Sequence, residues 1–181
     1  MFAICVESSH RRGMGHLFRA LNFMSHLRQR GESAILLLNE HMPSIDLARA
    51  GKFNFEIIRP KERGSRWEED TIRRHGVTVW INDRLDTELG HGCRVKGAGA
   101  KLVTFDDRGG GAQVADLHFA PLILDESEQL GGKKVLRGPE YLVLNREIDR
   151  YKRLRHHACE TIVTLGGSDT YGATLSVVRL L

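Results

Sequence analysis

Residues 7–21 read ESSHRRGMGHLFRAL. The short apolar run FAICV (Phe2–Val6) stands before them. After them, Leu17, Ala20, Leu21, Met24 and Leu27 recur at helical spacing, and Gly31 follows as a stop. The stretch is therefore a turn from a strand into a helix. Gly13 and Gly15 bracket that turn, where glycine allows positive φ and close approach of a ligand. The helix start offers unpaired N–H groups and a positive dipole end to an anion or a polar sugar. His16 falls in the first helical turn. The positive helix end there disfavours imidazolium, so a neutral base is the chemical reading. Arg19, three residues on, shares its face. The plain alternative is a helix cap beside a solvated charge.

Working outward, similar runs recur at 33–38 (SAILLL), 55–58 (FEII), 77–81 (VTVWI), 101–105 (KLVTF), 141–144 (YLVL) and 161–165 (TIVTL), with a weaker one, LHFA, at 117–120. They are aliphatic or β-branched and nearly continuous, as strands covered on both faces are. Helical patterns separate them, at 16–30, 43–50, 65–75, 86–97 and 145–157. Ser65 and Glu68 form a capping-box pattern for the third of these helices. The alternation predicts an α/β fold with a parallel, doubly wound sheet. RGGGA, 108–112, reads as the most flexible loop. TIVTLGGSDTYG reads as a fresh strand, turn and helix after the polar stretch RYKRLRHH. Two units are therefore expected: residues 1–155, a Rossmann-like domain, and residues 156–181, the start of a second, nucleotide-binding domain that the chain truncates.

Composition sets limits on function. The chain has 181 residues and a net charge of +4, with no basic stripe interleaved with aromatics, so nucleic acid is not the expected partner. No apolar run approaches the length of a membrane span. Cys5, Cys93 and Cys159 are odd in number and lack metal-ligand spacing, which fits reduced thiols in a cytoplasmic protein. Oligomeric state is not readable.

Several further residues follow strands, at the edge where parallel sheets bind ligands. Asp83 follows the fourth run, and Asp106 and Asp107 follow the fifth. Asp83 with Asp86 also suggests a cation, although two carboxylates are a weak pattern and hydrated loop acids are commoner. Gly166, Gly167, Ser168 and Asp169 repeat the logic of the first turn on the nucleotide side. A dinucleotide site is a competing reading, with Asn39 or Glu40 on a ribose. The fingerprint's third glycine is missing, however, because Phe18 stands there.

SSHRRGMGHLFRAL (8–21), TFDD (104–107), GPEYLVLNREI (138–148) and TLGGSD (164–169) occur in one order. In this the chain resembles the UDP-sugar hydrolase of pseudaminic acid biosynthesis (PseG) and the related spore-coat polysaccharide proteins (SpsG type). The resemblance runs from residue 2 to about 172. It implies the N-terminal domain of a GT-B type two-domain fold, with the active site in the cleft. It also implies a UDP-sugar substrate cleaved with inversion at the anomeric carbon, without a metal or other cofactor. By resemblance His16 is the general base and Arg19 the motif arginine, Asp106 and Asp107 are the acidic pair, and Gly166 and Gly167 form the nucleotide-side loop. One position departs: Leu85 stands where the hydrolase has a tyrosine that contributes to its site. A glycosyltransferase would keep the same fold and cleft, and a ligand-binding domain without turnover is the reading from another class.

Overall fold

The computed structural model describes residues 1–9, 13–59, 65–123, 125, 127–153, 162–164, 169 and 172–180. The strands are β1 (Phe2–Val6), β2 (Ala34–Leu38), β3 (Phe55–Ile57), β4 (Val79–Asp83), β5 (Lys101–Phe105), β6 (Leu117–Ala120) and β7 (Val135–Arg137). They form one sheet in the order β3-β2-β1-β4-β5-β6-β7. Each adjacent pair is parallel, and the register sets Val6 beside Asp83 and Asn82 beside Thr104. The order reverses between β1 and β4. That switch point opens a crevice at the carboxyl ends of both strands.

Helices cover both faces because strand side chains alternate. Ile4, Val6, Leu36, Leu38, Ile81 and Phe105 meet α1 (Gly15–Gln29) and α2 (Met42–Ala50) through Leu17, Ala20, Met24, Leu27, Ile45 and Ala48. Ala3, Cys5, Ile35, Leu37, Trp80 and Leu102 meet α3 (Trp67–His75) and α4 (Leu89–Gly97) through Ile72 and Val95. Two faces buried this way are the physical reason the strands read as unbroken apolar runs. The doubly wound Rossmann-like sheet is thus the architecture of the chain.

Several local readings change. Residues 141–144 are not a strand. Pro139–Tyr141 is a 3-10 helix, and the chain then runs across the α1 face. There Tyr141 packs on Phe119 and the Leu144 carbonyl accepts from His26 Nε2 at 3.1 Å. The last strand is instead β7, three residues bounded by lysines and glycine. The helix expected at 145–157 is described only as α5 (Ile148–Tyr151), and residues 154–161 lie outside the described set. The strand expected at 161–165 falls partly outside it as well, and residues 162–164 carry no strand structure. A short helix, α6 (Thr174–Val178), follows.

The capping box at Ser65 is not formed. Arg66 is the N-cap of α3, no side chain caps that helix, and Glu68 turns inward instead. RGGGA is likewise a packed turn and not a loose loop. Gly110–Val114 is a 3-10 helix, and Cβ atoms added at Gly109 and Gly111 would fall 2.3 Å from the Thr87 carbonyl oxygen and 2.4 Å from Thr87 Cγ2. Glycine is needed there for close approach, which the sequence cannot distinguish from flexibility.

Candidate active site at the carboxyl edge

Four side chains from three strand ends converge at the switch point. His16 and Arg19 lie in the first turns of α1. Asp83 ends β4, and Asp106 follows β5. His16 Nδ1 is 2.6 Å from Asp83 Oδ1. Arg19 donates Nε to Asp83 Oδ2 at 2.7 Å and one Nη to Asp83 Oδ1 at 2.6 Å. Its other Nη donates to Asp106 Oδ2 at 2.6 Å. Asp83 is 2% exposed and Asp106 3%. Short bidentate guanidinium–carboxylate pairs of this kind are the strong, direction-setting hydrogen bonds.

The geometry assigns the imidazole tautomer. Both Asp83 oxygens already accept from a guanidinium, so His16 Nδ1 is the donor in its contact. The 3.5 Å approach of Arg19 Nη2 to His16 Nδ1 places two donors on one shared acceptor, Asp83 Oδ1. The neutral ring then carries its lone pair on Nε2. Among the described residues nothing bonds that nitrogen, and the side chain is 15% exposed. A carboxylate behind Nδ1 and an open Nε2 is the arrangement of a positioned general base.

Arg19 is enclosed. Burial works against its charge, but the hydrogen bonds and charge of Asp83, then Asp106, outweigh it and raise the guanidinium above its ordinary value. Its carbon Cζ also lies 5.0 Å from the centroid of the Phe105 ring. Three of its five N–H groups are spent on the two acids, so its main work is to orient them. Asp106 takes φ 46°, an unusual value for a residue other than glycine. That turn lets its second oxygen accept from the Leu122 amide at 2.9 Å.

The turn before α1 is pinned as well as open. Gly13 takes φ 82°, which favours glycine. A Cβ at Gly15 would meet nothing within 4 Å, so that glycine leaves open space at the helix start. The Asn39 amide pairs with both backbone groups of Ser8 at 2.9 Å, extending the β1–β2 ladder by one side chain. Ser8 Oγ meets Ser44 Oγ at 2.6 Å, and Ser44 Oγ meets His41 Nδ1 at 2.7 Å. Asn39 is thus occupied, and Glu40 is bonded to Arg59 in an exposed pair. Sequence reasoning missed Ser8, Ser44 and Arg84. Arg84 donates to Glu7 Oε2 at 3.1 Å between the β1 and β4 ends.

The remaining candidates stand apart. Asp107 does not join Asp106. Its Oδ1 accepts from the amides of Thr87 at 3.0 Å and Gly109 at 2.8 Å, and its own amide donates to His118 Nε2. It ties the loops after β4 and β5 together from the other side of the sheet. Both Asp83 oxygens are engaged by Arg19 and His16. No group of three or more metal-ligating side chains is found among the described residues. Gly166, Gly167 and Ser168 lie outside the described residues. Asp169 accepts from the amides of Ala173 at 2.9 Å and Thr174 at 3.2 Å, at the start of α6. No described helix is long and apolar enough to cross a membrane.

Among solved structures the chain is similar to Acinetobacter baumannii MurG. The TM-score is 0.54 at 13% sequence identity, over 72% of this chain and 44% of that one. The likeness is one of fold. It sets the chain among Rossmann-like α/β domains of the GT-B type, and the chain spans less than half the length of this neighbour. No protein-family model and no curated protein matches the sequence.

Proposed function

We propose that the chain is the base-bearing half of an enzyme acting on a nucleotide sugar, and that His16 Nε2 takes the proton of the attacking oxygen. The observation that carries this is the 2.6 Å contact between His16 Nδ1 and Asp83, set at the crevice between β1 and β4. In the step, an O–H attacks the anomeric carbon from the face opposite the leaving group. The new C–O bond forms as the bond to the UDP oxygen breaks, with inversion. The proton goes to His16 and the electron pair leaves with UDP. The cluster has two carboxylates against one guanidinium, which disfavours a pyrophosphate beside it. The phosphates therefore belong to the other half of the cleft, and Gly166–Asp169 is the proposed approach to it. Residues 156–181 would then open the nucleotide-binding domain. The buried Cys5 and exposed Cys93, both unpaired, are consistent with a cytoplasmic enzyme.

Two acceptors fit this chemistry. Water makes the enzyme a UDP-sugar hydrolase, as the resemblance to PseG implies. A sugar hydroxyl makes it a glycosyltransferase, and one observation favours that. Exposed apolar residues neighbour the cluster along the chain: Phe18 next to Arg19, Leu85 two residues after Asp83, and Leu122, whose amide holds Asp106. They suit an organic acceptor better than a water molecule, and Leu85 replaces the hydrolase's tyrosine. The test is UDP release from UDP-sugars by protein carrying both halves of the cleft, with and without sugar acceptors. Acceptor-dependent release supports the transferase, and release into water alone supports the hydrolase. No release from any UDP-sugar overturns the proposal.

A further inference from the structure

The other face of β4 carries a second polar cluster, to which the chemistry above gives no role. Asn82 is fully buried and points toward α3 and α4, opposite to Asp83. Its Oδ1 accepts from Trp80 Nε1 at 2.8 Å. An indole nitrogen only donates, so this bond fixes which way the amide faces. Asn82 Nδ2 donates to Thr87 Oγ1 at 3.2 Å. His91, 4% exposed, lies between this amide and an acid. Its Nε2 is 3.3 Å from Asn82 Oδ1, and its Nδ1 is 2.9 Å from Glu68 Oε1. Glu68 is itself fully buried and accepts from Arg94 through both oxygens, at 2.9 and 2.7 Å.

Both ring nitrogens of His91 therefore face oxygens that can only accept. A neutral imidazole has one N–H, and its other nitrogen would set a lone pair against an oxygen in a dry interior, where an unmade hydrogen bond is costly. We infer that His91 is an imidazolium in the folded protein and a positioning residue for Asp83, acting through Asn82. The groups facing it are Glu68 from α3, Arg94 from its own helix, and Asn82 from β4. The rings of Trp67 and Trp80 enclose it, with centroids 5.6 and 5.7 Å away. Glu88 and Glu69 act farther out, on Arg94. Asn82 links this network to the active-site edge, because the next residue of β4 is Asp83. Loss of the His91 proton turns one of its two ties into a repulsion and loosens the carboxyl end of β4. The positioning role rests on the assignment of Asp83 as the partner of His16, whereas the protonation state does not.

The test is nitrogen-15 NMR of the histidine side chains in the full chain, labelled at histidine and titrated upward from neutral pH, with His91 assigned by its disappearance in His91→Gln. The expected result at neutral pH is the imidazolium pattern at both His91 nitrogens, with two protected N–H protons. On raising the pH, one is lost, and the His16 Nδ1–H signal changes in step. A neutral-tautomer pattern for His91 at neutral pH overturns the protonation, and a His16 signal indifferent to the loss of the His91 proton overturns the positioning role. If His91→Gln fails to fold, the wild-type titration decides both points, with His91 then assigned by through-space contacts to Trp67 and Trp80. Turnover does not enter this readout, so an inactive but correctly titrating protein would count against the proposed function alone.

Discussion

Arg19 holds two acids from different strand ends in one plane, and His16 borrows its orientation from the first of them. A lysine at this position would supply the charge but not the fork. Arg19→Lys should leave Asp83 and Asp106 unevenly held and lower turnover by about tenfold or more, with the fold retained; steady-state kinetics beside a thermal melt check this. Asp83→Asn removes the carboxylate that fixes the His16 tautomer and should lower the rate by about 10²-fold or more, with a smaller change in substrate affinity. An unchanged rate would show that His16 is oriented by something else. His16 and Arg19 were legible as a pair in the sequence through their three-residue spacing, and Asp83 and Asp106 as residues of the same sheet edge through their places after strands; the individual bonds were not. Their bonds to Asp83 and Asp106 span 64 and 87 residues, and no local pattern encodes contacts of that range.

At the scale of elements, the two kinds of glycine separate. Gly15 faces open space, so Gly15→Ala should melt no lower than wild type while weakening ligand binding. Gly111 has no room for a methyl group: a Cβ would sit 2.6 Å from the Glu88 carbonyl oxygen. Gly111→Ala should destabilise by about 1–3 kcal/mol through overpacking, read from denaturant midpoints. Five strands were readable because burial on both faces leaves continuous apolar runs, and LHFA was readable more weakly. β7 was not readable, being three residues long with lysines before it. YLVL misled for the opposite reason: Tyr141 and Val143 are apolar because they pack over the α1 face, not because they pair in a sheet. Glu68 misled too, since a Ser-x-x-Glu spacing carries no sign that the glutamate is claimed by Arg94 and His91 from another helix.

For the whole molecule, that buried glutamate sets an acid limit. Burial pushes the Glu68 carboxyl upward, but the hydrogen bonds of His91 and then Arg94 outweigh it and bring it from 4.5 down to about 2. A carboxyl depressed by folding contributes its full stability above the unfolded value and loses it as pH falls through the folded one. Stability should therefore decline between pH 4.5 and 2, and Glu68→Gln should lose part of this pH dependence while being less stable at neutral pH; urea midpoints across this range check it. The central claim concerns the opposite face of the same strand, where Asp83 sets His16 as a base toward a nucleotide sugar. Its most direct measurement is UDP release from a UDP-sugar by protein carrying both halves of the cleft, compared between wild type and His16→Asn, with folding verified for both. The account predicts release by wild type and a loss of about 10²-fold or more in the variant, with little change in affinity for the UDP-sugar. Near-normal turnover by folded His16→Asn would contradict it.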